Sequence, residues 1–165
     1  MKIATDDYQE NIISLCPVES NHKEVLLQLF RECRPDLELM GNIDEKQKDA
    51  IIFQQFTIEQ DQLRKMYPNA EFNIVMFNEE PIGRFYIYYG EEFHHIIEIG
   101  LLESYRGLGI GKAIMSAAIS NAVQKGKKIY LQVAWFNQNA YLFYEKLGFR
   151  VIEDNIAFKK MQYMA

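Results

Sequence analysis

The stretch "SYRGLGIGKAIM", residues 104–115, constrains this chain more than any other. Gly107, Gly109 and Gly111 alternate with bulky residues just ahead of an apolar, alanine-rich run. Glycine takes left-handed backbone conformations that other residues resist. Ile110, Ile114, Ala118 and Ala122 then recur every fourth residue, as one face of an amphipathic helix over 109–126 that stops at Gly126. A tight turn must therefore open a helix. The first N–H groups of a helix lack intrahelical partners and point outward. The helix dipole adds positive charge there, and glycines let a bulky anion approach the backbone. The turn reads as an anion site, with Arg106 or Lys112 beside the charge. A plain strand-to-helix turn would use the same glycines, and the turn alone does not separate the two readings.

Two common anion motifs fail here. A P-loop needs G-x-x-x-x-G-K-[ST], but Ala113 follows Gly111-Lys112 and Arg106 stands where the first glycine belongs. A dinucleotide fingerprint needs G-x-G-x-x-G, and counting from Gly107 its third glycine falls on Lys112. What remains is R-x-x-G-x-G, suited to a pyrophosphate that is held and not cleaved.

Charge divides at the same place. Residues 1–103 carry nine Lys and Arg against twenty Asp and Glu, whereas residues 104–165 carry nine against three. An anionic ligand suits the second half and a cationic one the first; chance placement of solvated charge is the alternative. The overall charge of −5 argues against nucleic acid as a partner. With 48% apolar and 13% aromatic residues, a packed globule is expected, with residues 1–165 as one domain. No apolar run reaches the roughly 18 residues of a membrane span, and "MKIATDDYQE" lacks the apolar core of a signal peptide, so no membrane partner and a cytoplasmic location are expected. Cys16 and Cys33 form no metal or redox spacing.

Periodicity and turn residues give an element order. A strand is expected at 11–18 and a helix at 20–33 capped by Ser20 or Asn21. A loop follows at 34–42, then a helix at 44–67 with a break near Thr57 and a stop at Pro68. Strands at 71–77, 82–89 and 93–102 are linked first by a hairpin at "NEEPIG". After the glycine turn and its helix come a strand at 127–135, apolar enough to be buried on both faces, and a helix at 137–148 capped by Asn137. A strand pair at 149–164 turns near Asp154-Asn155. The expected fold class is α/β, a mixed sheet of about seven strands with helices on both faces.

These residues resemble a known family. "IIEIGLLESYRGLGIGKAIM" looks like the acetyl-CoA-binding core of the GNAT superfamily of N-acetyltransferases, with [Q/R]-x-x-G-x-[G/A] filled by Arg106, Gly109 and Gly111. "LQVAWFNQNAYLFYEKLGF" resembles its later motif, N-x-x-A-x-x-[LF]-Y-E-x-x-G-F, filled by Asn137, Ala140, Phe143, Tyr144, Glu145, Gly148 and Phe149. The resemblance covers about residues 93–150; upstream, only the layout agrees.

The resemblance implies acetyl-CoA as co-substrate, with no metal. Its pyrophosphate would lie on main-chain atoms of Arg106, Gly107, Leu108, Gly109, Ile110, Gly111 and Lys112. Its pantetheine arm would pair with Ile99, Leu101 and Leu102, in a strand bulged near Gly100. Asn137 would hydrogen-bond the arm, cap its helix, or do both. A backbone N–H near Leu101 would stabilise the oxyanion. Tyr144 would return a proton to the leaving thiolate; otherwise it is one more aromatic beside Tyr141 and Phe143. Glu98 is the expected base for the amine, His94 and His95 being further candidates, with alternation placing His94 and Glu98 on one face and His95 on the other. Family members often pair through their sheets, so a homodimer is in keeping. The acceptor amine is expected to be a cationic small molecule or basic side chain, drawn by acids in 36–61 and 91–92. The run "RFYIYY" (84–89) would line a pocket or fill the core. A catalytically weak acyl-CoA-binding regulator is the alternative function.

Overall fold

The computed structural model describes residues 2–4, 12–34 and 41–164. Among them one eight-stranded sheet runs β1 (Lys2–Ala4), β2 (Ile12–Pro17), β3 (Glu71–Phe77), β4 (Glu80–Tyr89), β5 (Phe93–Leu101), β6 (Lys128–Ala134), β8 (Phe158–Tyr163), β7 (Phe149–Asp154). Every pairing is antiparallel except β5 with β6. The strand beyond the seven expected is β1, whose three residues are too short to carry a periodicity. Most of the loop expected at 34–42 lies outside the described residues.

Helices cover both faces, as expected. In β3, Ile74 packs with Leu26 and Phe30 of α1 (Lys23–Glu32) and Ile52 and Phe56 of α2 (Glu45–Met66). The next residue, Val75, points to the opposite core, built from Ile114, Met115 and Ala118 of α3 (Ile110–Gln124) and Tyr144 of α4 (Gln138–Leu147). That alternation is the pleat of one sheet read from both sides. No helix among the described residues is long and apolar enough to cross a membrane.

Three local expectations change. Ser20 and Asn21 do not cap α1; they sit in a 3-10 turn, where the Glu19 N–H donates to His22 Nδ1 at 2.9 Å. The long helix does not break at Thr57, whose hydroxyl bonds back to the Phe53 carbonyl at 2.9 Å. Strand β6 is buried on one face only: Ile129, Leu131 and Val133 are buried while Gln132 is exposed, because α1 and α2 do not reach over it. The expected hairpin is present. Asn78 and Glu79 take φ of 49° and 70°, the paired left-handed conformation of a type I′ turn.

Both motif helices end as their sequences imply. At the end of α3, Gly126 takes φ 66°, its N–H donates to Val123 O at 3.0 Å, and Lys127 N–H donates to Ala122 O at 2.9 Å. Helix α4 is capped by Asn137, whose Oδ1 accepts from the Ala140 N–H at 3.3 Å, and closed by Gly148 at φ 108°. Asn137→Ala is therefore expected to cost about 1 kcal/mol, or roughly 3 °C in Tm for a chain this size, read in a thermal melt.

Candidate active site

The site begins where two strands part. Strands β5 and β6 pair from Phe93↔Lys128 to Ile96↔Leu131 and no further. Beyond that point β5 continues to Leu101 and β6 to Ala134 as the arms of a V. The bulge that bends β5 is not at Gly100, which pairs regularly with Arg84. It falls where Tyr86 meets Glu98 and Ile87 meets Ile96, leaving Ile97 as the extra residue. An extra residue reverses the pleat, so Glu98 does not share a face with His94. Glu98 shares the α1/α2 face with His95, whose ring meets Tyr67 just after α2, edge-on at 5.3 Å. His94 and His95 both lie below the split, beside β6. Burial, with Lys160 adding, pulls the His95 pKa down to about 4.

The edge of β5 that β6 abandons carries unpaired backbone. Leu102 N–H donates to Ile82 O at 2.8 Å, toward β4. Alternation then turns the N–H and C=O groups of Leu101 and Ile99 the other way, into the split. Consistent with this, Leu101 O accepts from Arg106 Nε at 2.9 Å. Ile99 and Leu101 thus present backbone where a pairing arm was expected, whereas the N–H of Leu102 is taken.

A cavity of about 710 Å³ runs from the split to the glycine turn, lined by Leu101, Gly107, Gly109, Gly111, Lys112 and Asn137 among others. Gly107 and Gly109 take φ of 75° and 84°, and a Cβ on either would meet nothing within 4 Å. These glycines are thus demanded by backbone conformation and leave open space. The first intrahelical bond of α3 is Ala113 N–H to Gly109 O at 3.0 Å. The N–H groups of Ile110, Gly111 and Lys112 therefore have no partner within the helix, no side chain caps them, and the first turn holds no acid. Lys112 sits against the helix dipole, an arrangement that favours an anion at this end. Arg106 points its guanidinium elsewhere, to Leu101 O, to Cys33 Sγ at 3.7 Å and toward Glu32 at 4.0 Å. It ties the turn to the end of α1, and Leu108 is exposed. The cradle, the open edge of β5 and the cavity between them fit an elongated diphosphate ligand.

A second cavity, about 490 Å³, lies on the α1/α2 side of the split. The two meet at Cys33, Ile99, Gly100, Phe136, Asn137, Ala140 and Tyr144. At this junction the Tyr144 ring is buried and packs on Phe143 and Phe149. Burial holds its phenol protonated far above the ordinary value, and the Glu98 and Cys33 side chains add to the effect. Desolvation also pushes the Glu98 carboxyl above its usual range, against the pull of Arg84. The Arg84 guanidinium is 5% exposed, with Nη2 2.9 Å from Glu59 of α2 and 3.5 Å from Glu98. Burial raises the Cys33 thiol as well, with Arg106 pulling the other way.

Cys33 and Phe136 carry no sequence signal for the site, and Glu59 and Arg84 enter the sequence reading only within the acids of 36–61 and the run 84–89. Arg84 carried a signal: a lone charge inside the apolar run "IGRFYIYY" needs a buried partner. The rest of that run is mainly core, with Phe85, Tyr86 and Ile87 buried. The acids expected to draw the acceptor do not converge. Among the described ones in 36–61 and 91–92, only Glu59 lines the cavity. Glu91 and Glu92 precede β5 at the far end from Leu101, because the hairpin to β4 closes there.

Residues 24–149 match the sequence profile of the Acetyltransferase (GNAT) family. A mycothiol acetyltransferase of Corynebacterium efficiens is 34% identical over 73 residues, which are 44% of this chain and 25% of that protein. An N-alpha-acetyltransferase of Sulfurisphaera tokodaii is 38% identical over 61 residues, 36% of each chain. The matches thus span about a quarter to a third of those relatives' length. Among solved structures, PaiA N-acetyltransferase of Thermoplasma acidophilum in complex with coenzyme A superposes with a TM-score of 0.68 at 20% identity, over 93% of this chain and 99% of that one. At that identity the likeness is one of fold.

Proposed function

From the premise that this chain belongs to the Acetyltransferase (GNAT) family, we propose that it moves the acetyl group of acetyl-CoA to a primary amine by direct attack. The observation that carries this reading is the junction of two cavities at Tyr144 and Gly100, one leading to an anion cradle and the other to carboxylates. The N–H groups of Ile110, Gly111 and Lys112 hold the pyrophosphate, and the edge at Ile99 pairs with the pantetheine arm. Asn137 spends its Oδ1 on the helix cap and keeps its amide N–H₂ for the same arm. When bound, acetyl-CoA supplies a thioester carbonyl open to attack. The amine nitrogen bonds to that carbon, the C–S bond breaks, and the products are an amide and a thiol.

The chain's residues manage two protons. The acceptor arrives as an ammonium ion, and Glu98 takes its proton, directly or through a water. The Leu101 N–H, turned into the split, donates to the carbonyl oxygen as charge gathers there. Tyr144 donates to the departing sulfur, and the second proton that the nitrogen sheds as the amide forms restores its phenol; its raised pKa keeps it protonated at neutral pH. A regulator that only binds acyl-CoA has no use for a buried phenol at that point. The two free cysteines support a cytoplasmic setting.

The Glu98 reading fixes a pH dependence. The base works as carboxylate, so kcat/KM falls as pH drops through its pKa. Desolvation raises that pKa, so the fall begins at a higher pH than for an ordinary glutamate. Glu98→Gln is expected to remove that limb and lower kcat by about 10². A profile unchanged by the substitution takes the role from Glu98. The function itself is tested by thiol release from acetyl-CoA against a panel of amines.

A further inference from the structure

One arginine serves two carboxylates on the α1/α2 side of the split. Arg84 Nη2 lies 2.9 Å from Glu59 Oε1 and 3.5 Å from Glu98 Oε2. Arg84 Nη1 has no hydrogen-bond partner among the described residues, so neither carboxylate grips both terminal nitrogens of the guanidinium. The nearer partner is Glu59, carried across the sheet by α2, and not Glu98 on the adjoining strand. Arg84 is buried, whereas the Glu98 side chain keeps 40% of its surface and that of Glu59 keeps 24%. Both carboxylates line the smaller cavity, within reach of an amine that enters it.

Resting on the reading of Glu98 as the base of an amine acetyltransferase, we propose that Glu59 is a positioning residue for that base: it draws the Arg84 guanidinium away from Glu98 and sets a second negative charge beside it, so that Glu98 takes the acceptor's proton more readily. A carboxylate gripped by a guanidinium is held in its charged form and loses basicity; a second carboxylate nearby acts in the opposite sense. The titratable groups around Glu98 among the described residues are Arg84 and Tyr86 of β4, Glu59 of α2, Cys33 and Arg34 just beyond α1, and Tyr144 of α4. Burial pushes Cys33, Tyr86 and Tyr144 up, so all three are neutral at neutral pH. Burial also leads in raising the Glu98 carboxyl; of its charged neighbours, Arg84 and Arg34 pull it down and Glu59 alone pushes it up. Shared between two carboxylates, one guanidinium neutralises neither, and the three groups keep one net negative charge for an ammonium.

The test reads Glu98 once without turnover and once with it. In the full chain with isotopically labelled glutamate carboxyls, the Glu98 resonance, assigned by its loss in Glu98→Gln, is titrated by NMR in the parent and in Glu59→Gln. That substitution keeps the side chain's length and an oxygen toward Arg84 and removes the charge. The expected result is a Glu98 midpoint lower by about half a pH unit or more, roughly a threefold change in its proton equilibrium. Glu59→Asp, which withdraws the charge by one methylene, is expected to fall between the two, and carries the test if Glu59→Gln fails to fold. The acid limb of kcat/KM, followed by thiol release with the best-turned-over amine of a panel, moves to lower pH by the same amount, and kcat on the plateau falls severalfold as the base weakens. A merely structural Glu59 lowers Tm and moves neither midpoint nor limb. A Glu98 midpoint that is unchanged or raised overturns the proposal, as does a limb that stays while the midpoint moves. Turnover of no amine in the panel overturns the transfer reading instead; the NMR midpoint needs no turnover and still decides whether Glu59 sets the protonation of Glu98.

Discussion

Tyr144→Phe is expected to lower kcat by about 10² to 10³ while leaving acetyl-CoA affinity within about twofold. The substitution removes one oxygen and keeps the ring. Its contacts with Phe143 and Phe149 remain, so the variant should fold with the parent's stability. Tyr144 lines both cavities, where they join. Burial keeps it protonated. Without it the thiolate must leave unprotonated or take a proton from water. Single-turnover measurements check this against a separate titration of acetyl-CoA. Equal kcat in the variant would remove Tyr144 from the chemistry.

Gly109→Val is the second large effect. Gly109 takes φ 84° at the start of α3, and its Cβ position faces open cavity. A β-branched residue resists the left-handed conformation, at a cost of about 1–2 kcal/mol or more. It also fills the space over the free N–H groups of Ile110 and Gly111. Losing one or two charge-assisted hydrogen bonds costs about 2–4 kcal/mol, so acetyl-CoA should bind roughly a hundredfold more weakly. Gly126→Val separates strain from function. Gly126 takes φ 66° at the other end of the same helix, also facing open space. It should lose similar stability and no acetyl-CoA affinity. Equal affinity losses in the two variants would mean that the turn matters only for folding.

What the sequence reveals here is mostly local. The glycine turn, its helix, the Asn137 cap and the Gly126 and Gly148 stops each depend on residues a few positions apart, and each is found as read. Tyr144 was legible through its motif, and Leu101 through its place in the strand. The split was legible only through the resemblance, as a strand bulged near Gly100; its place, the end of a pairing between residues 96 and 131, is encoded by no single segment. The bulge falls at Ile97 instead, and one extra residue sufficed to move Glu98 to the face of His95. Glu59 reaches the site only because α2 crosses the sheet over Arg84, a long-range ion pair with no sequence signature of its own. Of the described acids in 36–61 and 91–92, Glu59 alone lines the cavity, a placement that the charge count of a segment does not reveal.

In the proposed function, acetyl transfer to an amine takes place at this junction with both substrates bound together. Initial rates of CoA thiol release, with acetyl-CoA and the best-turned-over amine of a panel varied against each other, test it most directly. The expected result is release that depends on the amine, with reciprocal plots that intersect, and N-acetylated amine formed in equal amount to free thiol. Thiol release indifferent to the amine, or no release with any amine of the panel from a chain saturated with acetyl-CoA, would contradict it.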